Sequence, residues 1–222
     1  MKKIILSKPI INIEATTKIF RDVLKSTFVN EGKQAINFEK KICNFLNVKY
    51  AVSTTSGTAA LFLALKACGI KNNDEVIVPN ITFPATANAV KMAGGKPVFV
   101  DVNPKDILID EKSLIKKITK KTKVILPVHV SGRGGNIKKL IKICKARSIK
   151  IIEDAAEAFG SKVNKKNLGT FGQAGCFSFA PNKIITTGQG GVVVTNNLKI
   201  YKMLNILKNQ GVIIHEWTIY SR

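Results

Sequence analysis

Along most of this chain, short apolar runs of strand length alternate with segments whose apolar residues recur every three to four positions. Runs at residues 49–53, 74–79, 97–101, 123–128, 149–153, 175–180 and 191–195 read as strands. Residues 59–67, 85–93, 111–119, 137–146 and 200–209 read as helices. Two more helices, 13–27 with the stripe Ile19, Phe20, Val23 and Leu24, and 35–46 with Phe38, Ile42, Phe45 and Leu46, precede the alternation. Strand–helix–strand units pair their strands in parallel and lay helices on both faces of the sheet. The expected fold is a three-layer α/β/α sandwich around a mainly parallel seven-stranded sheet. The glycine-rich link Thr187-Gly188-Gln189-Gly190-Gly191 is too short for a crossover helix, so the last strand is expected to run antiparallel.

Composition excludes several classes. With 222 residues and 45% hydrophobic content the chain can bury a sizeable core. The balance of 36 Lys+Arg against 14 Asp+Glu, +22 overall, raises nucleic acid or an anionic membrane as partner. Only four of the basic residues are arginines, the lysines are scattered, and no aromatic-interleaved patch accompanies them, so neither partner is expected. No apolar run approaches the ~20 residues of a membrane helix. The opening Met1-Lys2-Lys3-Ile4-Ile5-Leu6 is interrupted by Lys8-Pro9 and does not read as a secretion signal. Cys43, Cys68, Cys144 and Cys176 match no metal or redox spacing, and a reducing cytoplasm fits them. His129 and His215 are too far apart in sequence to argue for a metal. His129 follows a strand and reads equally as a residue facing the site or as a structural loop residue.

Chemistry concentrates between residues 151 and 183. Ile151-Ile152-Glu153-Asp154 places a carboxylate at a strand end, and Phe177-Ser178-Phe179-Ala180-Pro181-Asn182-Lys183 places a lysine in a turn before the glycine-rich link. A pyridoxal phosphate enzyme needs both: the lysine forms a Schiff base with the cofactor aldehyde, and the acid pairs with the pyridinium nitrogen. The plainer reading makes Asp154 a helix cap and Lys183 one lysine among many. Ser56-Gly57-Thr58 stands between a strand and a helix, where free N–H groups and the helix dipole favour a phosphate. An ordinary N-cap looks the same in sequence.

The order and spacing of several motifs resemble those of the DegT/DnrJ/StrS sugar aminotransferases, of the aspartate aminotransferase fold. The matching stretches are Leu6-Ser7-Lys8-Pro9, Ser56-Gly57-Thr58-Ala59-Ala60-Leu61, Thr82-Phe83 with Ala85-Thr86-Ala87-Asn88, Pro97-Val98-Phe99-Val100-Asp101-Val102, Pro127-Val128-His129, Glu153-Asp154-Ala155-Ala156-Glu157-Ala158 and Phe177-Ser178-Phe179 with Lys183. The resemblance implies an N-terminal segment at 1–34, a pyridoxal 5'-phosphate-binding large domain at 35–211 and an atypical tail at 212–222. It implies that Lys183 holds the cofactor and moves the proton, that Asp154 pairs with the ring nitrogen and that Phe83 stacks on the ring. Gly57, Thr58 and Ser178 would bind the phosphate, and Glu157 would lie near the ring hydroxyl; the plainer readings are a core aromatic for Phe83 and a solvated helix residue for Glu157. Family members that replace this lysine with histidine are dehydratases, so Lys183 implies transamination. Asn182-Lys183-Ile184-Ile185-Thr186-Thr187-Gly188 most resembles the perosamine synthase branch, implying amination of a nucleotide-linked 4-keto-6-deoxy hexose by glutamate in a homodimer, for cell-surface polysaccharide.

Two departures accompany the resemblance. Gln189 stands at a usually acidic position, and the family's smaller C-terminal domain is not present before the chain stops at Arg222, so the expectation is weak or no turnover from this chain alone. Competing classes are a non-catalytic relative that binds a partner, a nucleic-acid binder using the lysine surface, and a cysteine desulfurase, which needs a mobile nucleophilic thiol.

Overall fold

A computed structural model describes residues 9–27, 29 and 31–209. The tail 212–222 with His215, and most of the Leu6–Pro9 motif, lie outside the described residues. Seven strands form one sheet: β1 Tyr50–Thr54, β2 Glu75–Pro79, β3 Lys96–Val100, β4 Thr122–Ile125, β5 Lys150–Asp154, β8 Ala174–Ser178 and β9 Gly191–Thr195. Their order is β1-β9-β8-β5-β4-β2-β3. The pairs β2–β3, β2–β4, β4–β5 and β5–β8 are parallel. β9 runs antiparallel to both neighbours, as the short glycine link requires.

Alternation along each strand splits the interior into two cores. Ile77, Ile125, Ile151 and Val192 point into one, with Ile42 and Leu46 of α2 (Lys33–Leu46), Leu114 of α5 (Glu111–Lys117) and Leu140 of α6 (Ile137–Lys145). Val76, Val78, Ile152 and Val193 point into the other, with α3 (Gly57–Ala67), α4 (Ala85–Met92) and Leu204 of α7 (Leu198–Lys208). Cys68 and Cys144 are buried small hydrophobes in these layers, as their helical positions predict.

The differences from expectation are local. Helix α3 starts at Gly57, two residues early, because the Ser56 hydroxyl accepts from Ala59 N at 3.1 Å and caps it there. The fourth strand stops at Ile125 and resumes only as a single bridge, Val128 to Asp154. No helix follows β5: residues 155–161 form turns, which removes the helix-cap reading of Asp154 and the helical placement of Glu157. A small antiparallel hairpin, β6 Lys162–Val163 and β7 Lys166–Asn167, was not legible, since two-residue strands carry no periodicity; its turn uses left-handed Asn164 and Lys165. Helix α1 (Ile13–Lys25) forms, but its stripe is not buried within the described residues: Ile19 is 48% and Phe20 62% exposed.

Candidate active site

At the carboxyl ends of the parallel strands lies a cavity of about 450 Å³, within the usual ligand-pocket range of roughly 300–1,000 Å³. Every site residue expected from the sequence lines it: Gly57, Thr58, Phe83, Asp154, Glu157, Ser178 and Lys183. Five separate chain segments converge there because strand ends from both halves of the sheet meet at this edge.

Asp154 is the last residue of β5 and only 5% exposed. Thr86 Oγ1 donates to its Oδ2 at 2.8 Å, and Ala156 N donates to its Oδ1 at 3.2 Å. Burial pushes its carboxyl above the usual range; the Thr86 and Ala156 hydrogen bonds and the charges of His129 and Lys183 pull the other way. Thr86 itself lies 2.7 Å from Thr82 across the two hydroxyls. The sequence reading quoted Thr86 within a motif and gave it no role. Its signal was a hydroxyl on the buried stripe of α4, beside Ala89 and Val90.

Lys183 sits in the turn after β8, its N–H bonded to Ala180 O at 3.0 Å. Its side chain is 17% exposed, and Nζ lies 3.5 Å from Glu157 Oε1, while Glu157 Oε2 accepts from Ser131 N at 2.9 Å. The loop carrying Lys183 is pinched shut at its base, where Phe179 N donates to Gly190 O and Thr187 N to Phe179 O. Phe179 packs edge-on against Phe38 and Phe159, which fixes that base to α2.

Across the cavity, intrahelical bonding in α3 begins with Ala60 N to Ser56 O, leaving the N–H groups of Gly57 and Thr58 without intrahelical acceptors. A Cβ on Gly57 would stand 2.8 Å from Ser178 Cβ, so the helix start and the end of β8 meet only because residue 57 is glycine. Gly57→Ala is expected to push them apart at a cost of about 1–3 kcal/mol. Pyridoxal phosphate should then bind about tenfold or more weakly per 1.4 kcal/mol lost, by absorbance titration. An unchanged affinity would show that this close approach does not serve cofactor binding. Phe83 is 74% exposed at the cavity rim, so it is not a core aromatic.

His129 does not face the cavity; it is 2% exposed, with Nε2 2.8 Å from Glu153 Oε2. Among the described residues no cluster of side chains could hold a metal ion, and no helix is long and apolar enough to cross a membrane. The thiols are held un-ionised: burial pushes Cys68 to about 11 and Cys144 to about 12, Cys176 well above its usual range, and Cys43 upward with help from Glu39. These shifts disfavour the thiolate a desulfurase would need, and no cysteine is among the described residues lining the cavity.

An amine and a buried acid lining one cavity, opposite a glycine-opened helix N-terminus, define a site that fits pyridoxal phosphate in a transferase of the aspartate aminotransferase fold. The chain belongs to the DegT/DnrJ/EryC1/StrS aminotransferase family, whose model matches residues 11–221 and so extends through most of the tail. It is similar to GDP-perosamine synthase of Escherichia coli O157:H7, 43% identical over 195 residues, covering 87% of this chain and 54% of that protein. Helicobacter pylori PseC, an aminotransferase involved in the biosynthesis of pseudoaminic acid, superposes with TM-score 0.89 at 33% identity over 98% of this chain and 58% of that one. The E. coli GDP-4-keto-6-deoxy-D-mannose-3-dehydratase with bound hydrated PLP superposes with TM-score 0.82 at 31% identity over 91% and 54%. The chain spans about half the length of the curated relatives it matches.

Proposed function

We propose that this chain forms the cofactor-binding part of a pyridoxal phosphate-dependent aminotransferase acting on a nucleotide-linked keto sugar. One observation carries the reading: Lys183 and Asp154 line a single cavity with Gly57, Thr58 and Ser178 opposite them. When bound, pyridoxal phosphate supplies an electrophilic aldehyde and an electron-accepting ring. Lys183 Nζ, lining the cavity, would hold the cofactor and would be the group that carries a proton to and from the substrate carbon. The Asp154 carboxylate, oriented by the Thr86 hydroxyl, would hold the proton on the ring nitrogen. The N–H groups of Gly57 and Thr58 and the Ser178 hydroxyl bind the phosphate, aided by the helix dipole. Phe83, at the rim, would cover a ring face, and Glu157 would stand near the ring hydroxyl.

A lysine rather than a histidine at 183 favours transamination over dehydration. The likeness to GDP-perosamine synthases supports a 4-keto-6-deoxy hexose as substrate, with glutamate as amino donor and a cell-surface polysaccharide as destination. We assign the chain to the 35–211 large domain of a cytoplasmic homodimer; the four free cysteines suit a reducing compartment.

The test is a stoichiometric incubation of the purified chain with pyridoxal phosphate, a nucleotide-linked 4-keto sugar and glutamate. A borohydride-fixed adduct on Lys183 and an amino sugar product are expected. An amino sugar formed from another keto sugar but from no 4-keto sugar would defeat the substrate assignment, and no adduct would defeat the cofactor reading.

Asp154→Asn separates stability from binding. An acid whose folded pKa is raised contributes most stability below its unfolded range and loses it as pH rises through the folded value. The variant without cofactor is therefore expected to melt higher than wild type at pH 7.5, by about 2–4 °C per kcal/mol relieved, while its cofactor affinity drops. A lower melting temperature at neutral pH would show that the carboxylate is not a burden on the fold.

A further inference from the structure

Resting on the cofactor reading above, we propose that His129 is a positioning residue: a buried imidazolium, donating from both ring nitrogens, whose fixed positive charge keeps Asp154 ionised for the cofactor's ring nitrogen. Glu153 and Asp154 are consecutive in β5, 0% and 5% exposed, and point to opposite faces of the strand. A nearby cation favours the ionised form of two adjacent buried carboxylates. Among the described residues, His129 is the only fully buried basic side chain.

The hydrogen bonds locate its protons. Nδ1 lies 3.1 Å from the Arg133 carbonyl, which can only accept, so Nδ1 carries a hydrogen. Nε2 faces Glu153 Oε2, and that carboxyl already accepts from Gly169 N at 2.8 Å, Phe171 N at 2.6 Å and Gly172 N at 2.7 Å. Three N–H donors favour the ionised carboxylate, which leaves the shared proton on the ring. The ring is also locked in place. A Cβ on Gly134 would stand 3.0 Å from Nδ1, His129 N donates to Asp154 O at 2.9 Å, and Asp154 N donates to Pro127 O at 2.9 Å.

The titratable groups facing this pair are Glu153 and Asp154 on β5, the un-ionised Cys176 thiol on β8 and Lys183 from the cavity side. Both His129 and Lys183 pull the Asp154 carboxyl down from the level set by burial. Lys183 lines the open cavity and its side chain is 17% exposed, whereas His129 is 2% exposed behind the strand.

The test reads charge directly. In the 222-residue chain carrying His215→Gln, ring ¹⁵N NMR sees one histidine, and both nitrogens are expected to bear hydrogen at pH 7.5. A neutral single tautomer overturns the proposal alone. With ring-¹⁵N pyridoxal phosphate, the bound ring nitrogen is expected to be protonated in wild type and to titrate about tenfold in proton concentration lower in His129→Gln. An unchanged titration overturns the positioning role. If His129→Gln fails to fold, the histidine signal of the folded chain decides. Binding of labelled cofactor by neither protein overturns this proposal together with the cofactor reading.

Discussion

Lys183→Ala is expected to leave the fold intact and abolish covalent cofactor attachment. The lysine's one recorded ion pair, to Glu157 at 3.5 Å, involves a partner 46% exposed, and such pairs contribute at most about 1 kcal/mol. Melting should therefore shift by no more than about 4 °C. With Lys183 as the proposed proton carrier, its loss should lower the amination rate by about 10²–10⁴-fold. Absorbance of the bound cofactor and borohydride fixation read the first effect, and single-turnover amination reads the second. A variant that still fixes cofactor at another residue would show that 183 is not the anchor. A melting temperature far below wild type would show that the lysine serves the fold.

Glu153→Ala should produce the largest loss of stability. The carboxylate is 0% exposed and accepts from three backbone N–H groups as well as His129. Removing one partner of a buried ion pair costs about 3–5 kcal/mol, and each stranded donor adds about 1–3 kcal/mol. Against a total stability of about 5–15 kcal/mol, the variant is expected to be largely unfolded at 37 °C or to melt at least 10 °C lower. Circular dichroism melts of wild type, Glu153→Gln and Glu153→Ala would check this, with the amide variant in between. A melt within 3 °C of wild type for the alanine variant would mean that the loop at residues 169–172 finds other acceptors. The three N–H donors come from the segment leading into β8, so weakening this anchor should also displace Ser178 and Lys183 at that strand's far end.

What could be read along the chain and what could not divide according to the range of the interactions involved. Strand–helix alternation, the cap at Ser56, the acid at a strand end and the lysine in a turn are local patterns. Backbone geometry converts each into structure without reference to distant residues. The reversed direction of β9 follows in the same way from a link too short to cross the sheet. Thr86 and Glu153 were both visible as residues, but their partners lie 68 positions and 24 positions away, at Asp154 and His129 respectively. No periodicity encodes those pairings. The same limit applied to His129, which the sequence left open between site and scaffold.

The order of residue types along this chain determined the sandwich and the placement of its ligand edge, because those follow from spacing; Lys183 and Asp154 were marked as candidates by their place in motifs that resemble a known family's. Only the tertiary structure decided that Gly57 touches Ser178, that Thr86 steers Asp154 and that a histidine sits behind the acid pair. Those contacts exist only once strands distant in sequence lie side by side in the sheet, and burial there gives each polar group a strength it lacks in water.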